Sequence, residues 1–151
     1  MLNALVVEDE EDIKQLLVDE LVDRGYQVRE AGNGVIALQR VRVQIPDIIF
    51  ADIMLPVMDG FVLISKLRER RETAKIPVVL VTALNARDTE ARAGKLGVKH
   101  HLTKPWEPWA LDFVLQQAIK PGCKWHKEQT KYQVYPPATT ARTNPSVGSQ
   151  G

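Results

Sequence analysis

Four places in this chain set chemically active side chains directly after an apolar run. Leu5-Val6-Val7 leads into Glu8-Asp9-Glu10, Ile48-Ile49-Phe50-Ala51 into Asp52, Val78-Val79-Leu80-Val81 into Thr82, and His101-Leu102 into Thr103-Lys104-Pro105. Together they offer carboxylates, a hydroxyl and an amine. Carboxylate oxygens suit a hard divalent ion, and Mg2+ usually takes one or two of them with waters and a phosphate. Glu8, Asp9 and Asp52 carry three negative charges against the one positive charge of Lys104, a net −2 that one Mg2+ would neutralise. A carboxylate flanked by a metal ion, a lysine and a hydroxyl donor can attack phosphorus and have the product oxygens held. Each residue alone has an ordinary use. Polar side chains end strands as the chain leaves a core, and acids after the first run favour the N-terminus of a following helix. It is the right chemical type at four run ends out of five that points to a site.

The elements that must position these groups follow from periodicity. Short apolar or β-branched runs occur at Ala4–Val7, Tyr26–Arg29, Asp47–Ala51, Pro77–Val81 and Val98–Leu102. Between them lie segments of helical spacing: Ile13, Leu16, Leu17 and Leu21; Val35, Leu38 and Val41; Val62, Leu63 and Leu67; then the Asp88–Leu96 stretch. The last segment, with Leu111, Val114, Leu115, Ala118 and Ile119, is the clearest. Gly25 closes the first helix, and Asn33 and Asn85 suit helix N-caps. Five strand–helix units predict a doubly wound α/β fold, a five-stranded parallel sheet with helices on both faces. Such sheets bind ligands at the carboxyl ends of their strands, which is where the four polar clusters fall.

Composition sets outer bounds. The chain has 151 residues, 44% hydrophobic and 26% charged, with a net charge of +1, so no large field recommends a nucleic acid or a membrane as partner. A secretory h-region and a membrane-spanning apolar run are both lacking, and Cys123 is the single cysteine. A cytoplasmic location is the expectation. Pro121-Gly122 ends the last helical pattern. Beyond it the chain is basic and rich in Pro, Thr, Ser and Gly, with Trp125, Tyr132 and Tyr135 interspersed. The expected division is a domain over 1–120 and a tail over 121–151. Gly32-Asn33-Gly34 is too short for a dinucleotide fingerprint, and zinc or hydrolase constellations are missing.

The sequence resembles the receiver domain of two-component response regulators over essentially all of 1–120. The likeness rests on Glu8-Asp9-Glu10, on Asp52-Ile53-Met54-Leu55-Pro56-Val57-Met58-Asp59-Gly60, on Thr82-Ala83 and on Lys104-Pro105. The intervals of 43, 30 and 22 residues from Asp9 to Asp52, Thr82 and Lys104 also match that family. The resemblance implies a flavodoxin-like strand order 2-1-3-4-5. It implies that Asp52 accepts phosphate from a histidine kinase or a phosphotransfer protein. Asp9, Asp52 and the Met54 backbone carbonyl would bind Mg2+, with Glu8 acting mainly through water. Thr82 and Lys104 would hold the phosphoryl oxygens, and the Lys104–Pro105 bond would be cis. Thr82 and His101 would form the switch.

Two departures stand out. The family usually has Tyr or Phe where His101 sits, and often an acid where Lys99 sits. The resemblance implies a signalling switch rather than an enzyme, with output through contact with a downstream protein. The alternatives are a receiver-like interaction module not regulated by phosphorylation, and an enzyme working through an aspartyl-phosphate. Trp109 and Phe113, an i, i+4 pair opposite the buried stripe of the last helix, suggest cover by the tail or by a second subunit in a homodimer.

Overall fold

The computed structural model describes residues 1–83 and 87–119 of the chain. Strands and helices alternate as β1 (Asn3–Val7), α1 (Glu11–Asp23), β2 (Gln27–Ala31), α2 (Gly34–Val43), β3 (Ile48–Asp52), α3 (Gly60–Glu69), β4 (Val78–Thr82), α4 (Arg87–Lys95), β5 (His100–Thr103) and α5 (Pro108–Ala118). All four strand pairings are parallel, and the sheet order is β2-β1-β3-β4-β5. This is the flavodoxin-like doubly wound fold that the periodicity and the resemblance anticipated. Among the described residues no helix is long and apolar enough to cross a membrane.

The two-residue side-chain period of the strands builds a core on each face of the sheet. Leu5, Val7, Ile49, Ala51, Val78 and Leu80 point toward Ala37 and Val41 of α2, Leu63, Ile64 and Leu67 of α3, and Ala93 of α4. Ala4, Val6, Ile48, Phe50, Val79 and Val81 point the other way, toward Leu17 and Leu21 of α1 and Leu111, Val114 and Leu115 of α5. Burial on both faces explains why β3 and β4 read as unbroken apolar runs rather than alternating ones. In the helices, adjacent apolar residues cannot share one stripe. Leu17 and Leu63 are buried, whereas their neighbours Leu16 and Val62, which helical spacing grouped with them, face solvent, as does Val35.

Local signals set the ends. After α1, Gly25 takes φ +92°, and the Gly25 and Tyr26 amides close onto the carbonyls of Val22 and Leu21. Asn33 caps α2 by accepting from the Ile36 amide, and Asp59 caps α3 by accepting from Val62, each at 2.9 Å. Asn85 and the 121–151 tail lie outside the described residues. Trp109 and Phe113 on α5 are 42% and 44% exposed.

The β3–α3 loop turns so tightly that two of its residues are constrained by backbone alone. A Cβ on Gly60 would run into the Asp52 carbonyl oxygen and come within 2.8 Å of the Ile53 Cα, both immovable backbone. Gly60→Ala is therefore expected to cost about 1–3 kcal/mol, the usual penalty of overpacking, read from the urea midpoint. Val57 is the opposite case. It holds φ +70°, costly for a β-branched residue, while its side chain is exposed and packs little. Val57→Asn should raise stability by about 1 kcal/mol, because Asn tolerates the left-handed region. An unchanged or lower midpoint would show that the Val57 side chain contributes packing that offsets its backbone cost.

Candidate functional site

Parallel strands all present their carboxyl ends at one edge, so β1, β3, β4 and β5 deliver their terminal residues to a common rim. The Lys104 ammonium lies at its centre, 2.8 Å from Asp52 Oδ2, 2.9 Å from Glu8 Oε1 and 3.4 Å from Glu10 Oε1. Lys104, Glu8 and Asp52 are all buried to nine-tenths or more at the side chain, while Glu10 is exposed. The Asp52 carboxylate is held at both oxygens, since Oδ1 accepts from the Met54 amide at 3.1 Å. Thr82 is buried at the end of β4, one residue past the Val81 that pairs with Asp52. The Lys104 amide donates to the Thr82 carbonyl at 2.8 Å, tying the ends of β4 and β5 together. The Lys104–Pro105 peptide is cis, as expected.

The remaining expected residues are spread around this centre. The Met54 side chain is exposed, while its backbone amide meets the Asp52 carboxylate. His101 is half-buried on β5, in register with Leu80, two residues short of the Thr82 level. Asp9 is exposed. Among the described residues, Glu8, Glu10 and Asp52 each offer a carboxylate oxygen within 4.8 Å of the others. Glu10 was not singled out from the sequence, yet a signal for it existed. It is an acid two residues beyond Glu8 at the same strand end, and although the chain bends at Asp9, Glu8 and Glu10 both reach Lys104.

The electrostatics are strained in one direction. Burial, the largest influence, pushes the Glu8 carboxyl above the ordinary range; the Lys104 hydrogen bond opposes it and the Asp52 charge adds to it. Burial works to lower the Lys104 ammonium, but hydrogen bonds and charge from Asp52 and Glu8 outweigh it and push it well up. Three carboxylates against one ammonium leave a net −2 in this cluster. An all-oxygen donor set with that surplus suits a hard divalent cation, so the residues present fit Mg2+.

Comparison with known proteins agrees with the geometry. The response regulator receiver domain profile matches residues 4–116. The chain belongs to the response regulator receiver domain family. Response regulator PleD of Caulobacter vibrioides is 42% identical over 101 residues, covering 67% of this chain and 22% of PleD. The chain spans about half or less of the length of the first curated relatives that it matches. Among solved structures, a response regulator from Chloroflexus aurantiacus superposes with a TM-score of 0.75 at 29% identity, covering 78% of this chain and 97% of that one. The receiver domain of the sensor histidine kinase PA1611 of Pseudomonas aeruginosa, solved with a magnesium ion in its active-site cleft, gives a TM-score of 0.72 at 26% identity, covering 78% and 97%.

The raised Glu8 carboxyl couples the stability of this domain to pH. A folded value above the unfolded one favours the protonated form in the folded state. That contribution is complete below the ordinary carboxylate pKa of about 4.3 and is lost as pH rises through the raised folded value. Without divalent ions, Glu8→Gln should therefore melt higher than the parent at pH 7, with the gap closing as pH falls to 4. A variant that melts lower at pH 7 would mean that the Glu8–Lys104 pair outweighs the cost of burying the charge.

Proposed function

We propose that residues 1–120 form a phosphorylation-dependent switch whose acceptor is Asp52, with 121–151 as an appended tail. The observation that carries this reading is the buried Asp52 carboxylate, fixed at one oxygen by the Met54 amide and at the other by Lys104. A carboxylate oxygen of Asp52 attacks the phosphorus of a kinase's or phosphotransfer protein's phosphohistidine. The P–N bond breaks, and its electron pair leaves with the imidazole. Asp9, Asp52 and the Met54 carbonyl would hold Mg2+, with Glu8 acting through water and Glu10 close enough to the cluster to contribute. When bound, Mg2+ supplies charge neutralisation for the incoming phosphoryl oxygens. PA1611, similar in fold, carries magnesium in the equivalent kind of cleft.

Before transfer, Lys104 is shared among carboxylates. Afterwards it holds a phosphoryl oxygen, and the Thr82 hydroxyl holds another. That new demand on Thr82 is passed along the paired β4 and β5 to His101, at the surface where a downstream protein reads the state. The cytoplasm, where histidine kinases present their phosphohistidine, is the proposed location. A second copy docking on Trp109 and Phe113 of α5 would form the homodimer that the sequence suggested.

Incubation with acetyl phosphate and Mg2+ should add one phosphoryl group, visible by intact mass, and peptide mapping should place it on Asp52. EDTA should block the addition and Asp52→Asn should abolish it. Equal labelling of the Asn variant would remove Asp52 from the role.

A further inference from the structure

At the opposite end of the sheet from the carboxylates, a cavity of about 610 Å3 opens below the amino ends of β4 and β5. Four of the residues that line it carry lysine or arginine side chains, Arg68, Lys75, Lys95 and Lys99, and His100 lies among them. None of the described lining residues is acidic. This concentration stands out in a domain whose 1–120 stretch carries 18 acids against 16 bases. Of the other described bases, Lys14, Arg24, Arg70 and Lys104 each have a carboxylate within 4.0 Å, whereas Arg29, Arg40, Arg42, Lys66, Arg71 and Arg92 have none among the described residues. Among the described residues Arg68, Lys75, Lys95 and Lys99 have none.

Arg68 gives the cavity a fixed charge. Its guanidinium donates to the carbonyls of Leu96 at 2.8 Å, Ala74 at 3.0 Å and Ile76 at 2.9 Å. Those bonds pin a half-buried cation between the α3–β4 and α4–β5 loops without neutralising it. Lys75, Lys95 and Lys99 are exposed around it, flexible donors in a region of one sign. Ile76, Pro77 and Leu96 supply an apolar floor between them. Burial, then the charges of His101 and Lys99, hold His100 below its ordinary pKa.

We infer that this cavity binds a small anion bearing a run of phosphoryl groups, of nucleotide size. Clefts lined by one charge sign focus the field and concentrate counter-ions. Lysine ammonium groups take phosphoryl oxygens in charge-assisted hydrogen bonds. The volume falls within the roughly 300–1,000 Å3 common for small-ligand pockets. The phosphoryl chain lies along the lysines against the fixed Arg68 charge, and the apolar floor accepts a ring or sugar. The site lies at the other end of β4 and β5 from Asp52.

The test is titration calorimetry of the full chain with inorganic tripolyphosphate, in EDTA so that no metal recruits the anion to the carboxylates. Saturable one-to-one binding is expected. Lys95→Glu with Lys99→Glu should weaken it at least tenfold, while Lys66→Glu, the same charge change on the exposed side of α3, should change it less than twofold. Circular dichroism establishes that the variants are folded. Amide shifts on binding should centre on Gly97, Lys99 and His100. Adenosine triphosphate binding more tightly than tripolyphosphate would identify a nucleotide, and weaker binding a simple polyphosphate. Absence of binding, equal loss with Lys66→Glu, shifts centred on Glu8–Glu10, or hexaglutamate binding as tightly as tripolyphosphate would each overturn the assignment.

Discussion

One ammonium group holds the functional end of this protein together. Lys104 lies between Asp52 and Glu8, two carboxylates that β1 and β3 force close to one another, and it is itself buried. Taking three charges out of water costs several kcal/mol per ion, and mutual attraction offsets that cost only where the geometry is close and hydrogen-bonded. Here the Lys104 contacts to Asp52 and Glu8 are under 3 Å, yet the charges do not balance. The cluster is therefore poised to accept a cation and a phosphoryl group rather than built for stability alone.

The rest of the fold can be understood as the means of making that contact. Parallel pairing aligns all five carboxyl ends, and right-handed crossovers put α1 and α5 on one face and α2, α3 and α4 on the other. With both faces covered, β3 and β4 are buried along their whole length, up to Asp52 and Thr82 at their ends. The tight β3–α3 loop adds to this. Gly60 lets the backbone fold against the Asp52 carbonyl, and Met54 then meets the Asp52 carboxylate. A second tie binds α1 to the start of α5, where Arg24 pairs with Asp112 and the Trp106 indole donates to Glu20 at 3.0 Å. Those contacts anchor the segment that follows Lys104.

The two ends of the sheet have opposite electrostatic characters. Acids collect where strands end, and uncompensated bases collect where β4 and β5 begin. Both β4 and β5 run from the basic cavity to the rim that holds Thr82 and Lys104. The separation comes from placement, since the composition is nearly neutral.

Much of this was legible in the sequence, for a definite reason. Strand and helix periods are local, so the five strand–helix units, the Asn33 cap and the Gly25 stop could be read within a few residues of each site. The parallel sheet followed from connectivity, and with it the rim on which Asp52, Thr82 and Lys104 meet. Contacts that depend on how the chain turns after a strand were not local. The resemblance implied Asp9 as a metal ligand, but the acids that reach Lys104 across the bend at Asp9 are Glu8 and Glu10, while Asp9 is exposed. Leu16 and Leu17 looked equivalent until packing chose one of them. Arg68 and Lys99, thirty-one positions apart, carried no joint signal at all. Only the packing of the α3–β4 loop against the α4–β5 loop brought their charges to one cavity, because long-range proximity is a property of the folded chain.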